Sequence, residues 1–270
     1  MTVHRLVVSF YLTQRMKYIL AIAGSDSCGG AGIQADIKTI TSLGAHALTA
    51  ITAVTAQNSI GIVSVHKIPA RFISKQIEAI IDDIFPHAVK IGMLMTGSAI
   101  REVAKTIEKF KISHLVVDPV LKASTGKELL EPNAISLLKE VLFPHAKVVT
   151  PNLDEAGILT GKKVRNLKEM EEAAKVINEL GPDVVITGGH LKGKCVDLLY
   201  DGKAIHHFYG SRIRTEHTHG SGCVFSTAVA AFLAMDDEVT KAVKSAHDFT
   251  RSAIKGGYPC GRGAGAVRPW

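Results

Sequence analysis

Short apolar runs alternate along the chain with longer stretches in which apolar residues recur every three or four positions. The runs Tyr18 to Ala23, Leu48 to Val54, Val63 to Ile68, Ala88 to Ile91, His114 to Val117, Lys147 to Thr150, Val184 to Thr187 and Cys195 to Tyr200 have the length and composition of strands. Most are nearly continuous in apolar character, as strands buried on both faces must be. Between them, Ile33, Ile37, Ile40 and Leu43, then Ile73, Ile77, Ile80, Ile81 and Ile84, mark the apolar faces of helices. This alternation predicts βαβ units, hence a mostly parallel sheet covered by helices on both faces. Asp201-Gly202, set between Val196 to Tyr200 and Ala204 to Phe208, is a hairpin signal and predicts an antiparallel edge.

The 270 residues are 46% hydrophobic and 21% charged, an ordinary globular balance, and no Pro/Ser-rich linker interrupts the pattern. One α/β domain over residues 16–270 is expected. At the start, His4 and Arg5 precede an apolar run from Leu6 to Leu12, which invites a signal-peptide reading. Gln14, Arg15 and Lys17 break that run, and cleavage after Ala23 would remove the first strand. Residues 1–15 are therefore expected to be an N-terminal extension that need not be ordered, with Met16 a start-like methionine. No run reaches the roughly eighteen apolar residues needed to span a bilayer.

The net charge of +7 favours an anionic ligand. Its 32 basic residues are interspersed with 25 acidic ones and form no long cationic run, which argues against a nucleic-acid partner. A nucleotide phosphate is the simpler anion. Cys28, Cys195, Cys223 and Cys260 are far apart in sequence and form no Cys-x-x-Cys pair, so neither zinc nor a redox motif is indicated. A reducing cytoplasm suits them.

Glycine and polar residues gather after the strands, where open α/β sheets bind ligands. The loop Gly24 to Gly32 lacks the Lys-Ser/Thr of a P-loop, and no acidic residue ends the next strand as a dinucleotide site requires. It reads instead as a loop without bulky side chains, where a small substrate can approach backbone amides. The segment His217-Thr218-His219-Gly220-Ser221-Gly222-Cys223 leads into a helical run and is the sharper signal. Gly220, Ser221 and Gly222 can converge backbone N–H groups on a transferring phosphoryl group, with the helix dipole adding positive potential. Cys223 in the first turn is expected to have its thiol pKa lowered, allowing it to accept a substrate proton or simply to position the hydroxyl. Asn152 reads as a helix cap, and the oxygens of Asp154 and Glu155 suit a hydrated Mg²⁺.

Taken in order, these segments resemble the ribokinase superfamily. Ending the catalytic loop in Cys223 is similar to the hydroxymethylpyrimidine/phosphomethylpyrimidine kinases. Further matches are Ala23 to Asp26, Gly29 to Asp36, Thr55-Ala56-Gln57-Asn58, Lys90 to Leu94, Asp118-Pro119-Val120 and Pro151-Asn152-Leu153 with Glu155, so the resemblance spans Tyr18 to about Val267. It implies a ribokinase-like three-layer αβα sandwich with a mostly parallel central sheet and an antiparallel edge. It also implies ATP and Mg²⁺ as cofactors, and a homodimer. The resemblance assigns Gly24, Asp36, Gln57, Met93 and Val120 to an aminopyrimidine, Gly220 to Gly222 to an anion hole, and Cys223 to the catalytic position. Asn152, Thr187, Gly189 and Thr218 are expected at ATP, and Glu155 at the metal through water. Gln57 is also sound chemically, because an amide matches an amino group beside a ring nitrogen.

Two departures stand out. Thr187 occupies a position before Gly188-Gly189-His190 where many members carry Lys, leaving Lys192 or Lys194 as substitutes, and Ala266 stands where Pro is frequent. His190, His217 and His219 read as structural. The rival functions are a pyridoxal/pyridoxine kinase of the same superfamily and a non-catalytic sensor of a thiamine precursor.

Overall fold

The computed structural model describes residues 16–123, 126–189, 191 and 195–270, so the expected extension 1–15 and the candidate cations Lys192 and Lys194 lie outside the described residues. The chain order is β1 (Tyr18–Asp26), α1 (Gly32–Ser42), β2 (His46–Gln57), β3 (Ile62–Lys67), α2 (Ala70–Ile81), β4 (Ala88–Ile91), α3 (Gly97–Phe110), β5 (Leu115–Val117), α4 (Ala134–Val141), β6 (Val148–Val149), α5 (Leu153–Thr160), α6 (Leu167–Asn178), β7 (Asp183–Ile186), β8 (Cys195–Tyr200), β9 (Ile205–Gly210), α7 (Ser221–Ala234) and α8 (Val239–Lys255). All nine strands join one sheet in the order β3-β2-β1-β4-β5-β6-β7-β8-β9.

The expected parallel core runs from β2 through β7, and the hairpin at Asp201-Gly202 makes β8 and β9 antiparallel. The opposite edge is antiparallel as well, because Asn58 accepts the Ile60 and Gly61 N–H groups in a tight turn that returns β3 along β2. Side-chain alternation splits the core in two. Leu20 and Ile22 face α2 to α6, while Ile19, Ala21 and Ala23 face α1, α7 and α8. The result is a three-layer αβα sandwich. Ile37, placed on the apolar face of α1 by its spacing, is instead 39% exposed.

The strand order turns at β1, whose neighbours β2 and β4 lie on either side, and crevices of this kind open beyond the strand ends at such a point. The loops after β1, β2, β4, β5, β6 and β7 all emerge at that end.

Candidate active site

The start of α7 is shaped by two backbone approaches. Gly220 adopts φ +85°, and a Cβ there would lie 1.8 Å from the Gly30 carbonyl oxygen, so the two glycine loops are in backbone contact. Ser221 N–H is spent on the Thr218 carbonyl at 3.1 Å, and Val224 N–H begins the helix ladder on Gly220. The Gly222 and Cys223 N–H groups belong to the first turn and have no partner inside the helix. They are the donors available to an anion, beside the exposed Thr218 and Gly222.

Asp26 organises the loop opposite. Its carboxylate accepts from the N–H groups of Cys28 (2.8 Å), Gly30 (3.1 Å) and Ala31 (2.9 Å), and lies 3.0 Å from His219 Nε2. Burial would raise its pKa, but the bonds from His219, Cys28 and Ala31 together hold it below the ordinary value. His219 thus joins the two loops and also donates its N–H to Gly265. The expected structural role of this histidine is observed. His217 is packed against Gly265, and His190 lies outside the described residues.

Beneath Cys223 lies a charged network. Lys90 is fully buried in β4 and donates to both oxygens of Asp36, at 2.9 and 3.1 Å. From α7, Thr227 donates to Asp36 (2.7 Å) and Ser226 to Asp118 (3.0 Å), so the residues three and four positions after Cys223 tie its helix to this network. Burial alone would depress the Lys90 pKa, but Asp36, with lesser help from Cys223 and Asp118, holds it above the ordinary value. Burial pushes Asp118 up, against the opposing pull of Lys90. The Cys223 thiol is pushed up to about 12 by burial, with Lys90 opposing and Asp36 and Asp118 adding. This corrects the expectation of a lowered thiol pKa: desolvation outweighs the helix dipole, and Cys223 is a neutral thiol near pH 7.

The residues expected at the pyrimidine divide into two groups. Met93 packs onto Gly24, where an added Cβ would meet its methyl carbon at 2.1 Å, and Val120 adjoins the same apolar cluster. Gln57 ends β2 half-buried, with its Oε1 accepting from Thr55 at 3.3 Å. Among the described residues its side-chain amide nitrogen donates to none. Asp36 differs from these, being fully enclosed and committed to Lys90 and Thr227 below the loop.

At the ends of β6 and β7, Asn152 and Glu155 form a capping box on α5, so the simple capping role holds. Glu155 is enclosed, and burial together with Asp118 raises its pKa to about 8. Thr187 pairs with Asn152 across adjacent strand ends. Gly188 N–H donates to Asp197 (2.9 Å), which lies 2.7 Å from His247 Nδ1, and Arg212 donates to the carbonyls of Gly189 (3.1 Å) and Leu191. Arg212 brings a cation to the loop that lacks the frequent lysine. Sequence reasoning missed Arg212, Asp197 and His247, although Arg212 sits only eight residues before Gly220. The depression between α3 and α4, lined by Gly97, Ser98, Arg101, Glu131 and Leu137, includes none of these residues.

A helix start arranged to hold anionic oxygens, at the turning point of a parallel sheet with antiparallel edges, is the arrangement of a ribokinase-like kinase. The chain belongs to the phosphomethylpyrimidine kinase family, whose model matches residues 26–268. It is 44% identical over 256 residues to the hydroxymethylpyrimidine/phosphomethylpyrimidine kinase of Mycobacterium bovis, covering 93% of each chain. It is 43% identical over 251 residues to the thiamine biosynthesis bifunctional protein ThiED of Geobacter sulfurreducens, covering 92% of this chain but 51% of that protein, so it spans about half that relative's length. Among solved structures, an ADP complex of Bacillus subtilis pyridoxal kinase is similar with TM-score 0.89 at 42% identity, covering 94% of this chain and 97% of the other.

Proposed function

We propose that this chain transfers the terminal phosphoryl group of ATP to the hydroxymethyl group of 4-amino-5-hydroxymethyl-2-methylpyrimidine, and then phosphorylates the resulting monophosphate, in thiamine biosynthesis. The carrying observation is Gln57, at the end of β2, whose amide nitrogen has no acceptor among the described residues and whose Oε1 accepts from Thr55, itself bonded to Ser25 next to Gly24. An amide there can pair with an amino group and the adjacent ring nitrogen, while Met93 and Val120 cover the ring. Use of ATP is supported by the ADP complex of the pyridoxal kinase with the same fold.

In this reading the Gly222 and Cys223 N–H groups bind the phosphoryl oxygens as charge develops, and Gly220 and Ser221 hold the turn that aims them. Cys223, as a neutral thiol, positions the substrate hydroxyl rather than removing its proton. Asp36 serves from below by fixing Lys90 under Cys223. Asn152, Thr187, Gly189 and Thr218 line the nucleotide, with Arg212 adding charge.

Asp118 and Glu155 fit Mg²⁺ by chemistry: they are oxygen donors, enclosed together, and each is raised by burial. No group of three or more such ligands occurs among the described residues, so these carboxylates would hold the ion with water and phosphate oxygens. Bound there, Mg²⁺ neutralises phosphate charge. A homodimer is supported by Val54, Ile60 and Val63, each of which is exposed in the β2–β3 hairpin. A cytoplasmic site is supported by four free cysteines, and no described helix is long and apolar enough to cross a membrane.

The pyridoxal kinase relative favours a second reading, pyridoxal phosphorylation. The test is Gln57→Met, assayed for ATP consumption with each substrate. Pyridoxal has no amino group beside a ring nitrogen, so aminopyrimidine turnover should fall by about ten-fold or more while any pyridoxal turnover changes little. Equal losses would defeat the Gln57 assignment, and ATP consumption that needs neither substrate would defeat both readings.

A further inference from the structure

The glycine loop carries a thiol that the proposed chemistry does not use. Cys28 lies two residues after Asp26, and its Sγ is 3.9 Å from Sγ of Cys260, which is 232 residues away in the sequence. Both are only partly buried. Each thiol sits on a segment packed against the substrate mouth. Ser27, beside Cys28, accepts from the Gln57 N–H and donates to the Gln57 carbonyl, both at 2.8 Å. Beyond Cys260, Gly263 donates its N–H to Ser59 at 3.0 Å, and a Cβ on Gly261 would strike the Ser59 hydroxyl at 2.4 Å. The two thiols therefore bridge the β1 loop and the C-terminal segment over the turn that presents Gln57.

We infer that Cys28 and Cys260 are a dithiol site that reacts with a low-molecular-weight disulfide, closing an intramolecular disulfide that pins these two segments together. The first step is attack by the thiolate form of one of the two cysteines on the small disulfide, which forms a mixed disulfide and expels one small thiol. Either sulfur can attack first, because both are partly exposed and they lie 3.9 Å apart. The other cysteine then attacks the capped sulfur, expels the second small thiol and completes the bond. Overall, two protein thiols and one small disulfide give one protein disulfide and two small thiols. The protein is oxidised and the reagent is reduced, with no other reactant.

A disulfide holds its sulfurs about 2.05 Å apart, so the pair must close by ~1.9 Å. Whatever part of this closure the β1 loop takes up draws Ser27 from Gln57, whose N–H and carbonyl it holds. The functional consequence rests on the proposed role of Gln57, but bond formation does not.

The test is exposure of the purified full chain to glutathione disulfide at increasing ratios to glutathione, followed by intact mass, peptide mapping and kinetics. The expected product is two hydrogen atoms lighter, links the Cys28 and Cys260 peptides, and regains its original mass with dithiothreitol. Its KM for the aminopyrimidine should rise about five-fold, the effect of one lost hydrogen bond, with KM for ATP unchanged. Cys260→Ser should neither crosslink nor respond kinetically to the oxidant, with basal activity retained. Mapping that shows Cys28 and Cys260 unlinked while other cysteines react would overturn the dithiol site. A linked protein with unchanged KM for whichever substrate it phosphorylates would overturn the pinning effect. Because mapping needs no substrate, its result stands apart from the identity of that substrate.

Discussion

Gly220 and Gly222 are separated by one residue, yet the structure gives them opposite consequences when each is replaced by alanine. At Gly220 the left-handed backbone costs an L-residue about 1–2 kcal/mol. The new Cβ would sit 1.8 Å from the Gly30 oxygen, where real contacts start near 3.0 Å, so the loops must part by ~1.2 Å. Adding about 1–3 kcal/mol for that overpacking gives a loss of about 2–5 kcal/mol in stability. The same displacement moves the Gly222 and Cys223 donors, and a misplacement of about 1 Å costs on the order of a hundred-fold in turnover. At Gly222 the backbone is ordinary and nothing lies within 4 Å of an added Cβ. Alanine there should stabilise the helix by about 0.5–1 kcal/mol. Its methyl would nonetheless project into the space assigned to the phosphoryl group, so turnover should fall by about ten-fold or more. Urea unfolding and steady-state kinetics on both variants separate the effects. Wild-type turnover in Gly222→Ala would refute the placement of phosphoryl transfer, and wild-type stability in Gly220→Ala would refute the close approach of the loops.

Three further outcomes follow from the buried titratable groups. Lys90→Met leaves Asp36 enclosed without its cation and should cost about 3–5 kcal/mol in chemical denaturation, part of which Lys90→Met combined with Asp36→Asn recovers. Glu155 has a folded pKa of about 8 against an ordinary 4.5, so the folded state retains a proton that the unfolded state releases. Stability of the metal-free protein should therefore decline as pH rises from 4.5 to 8, and Glu155→Gln should flatten that decline; an unchanged slope would contradict the assignment. Cys223→Ala should lower kcat by about ten-fold with KM nearly unchanged, and the wild-type kcat profile between about pH 6 and 9 should carry no limb that the variant abolishes.

The strand pattern was largely readable because consecutive buried positions and helical spacing are local signals. Ala88 to Ile91 and Cys195 to Tyr200 match the observed strands in both bounds. The antiparallel β3 was not readable as such, since its turn depends on Asn58 accepting two backbone donors within a segment that also reads as a ligand loop. Lys90 stands as a charge inside the apolar strand Ala88 to Ile91, but the partner that its burial demands, Asp36, is 54 residues away on α1. The Cys223 pKa was misjudged for the same reason: the dipole is evident from position in a helix, whereas the burial that outweighs it is set by the packing of distant elements. Cys28 and Cys260 share no sequence spacing that could announce their contact.

The proposed reaction is tested most directly by incubating the protein with ATP, Mg²⁺ and either 4-amino-5-hydroxymethyl-2-methylpyrimidine or pyridoxal, and weighing the products. The aminopyrimidine should gain one phosphate and then a second, with pyridoxal reacting poorly. Preferential phosphorylation of pyridoxal, or an aminopyrimidine left unmodified while ATP persists, would contradict the proposal.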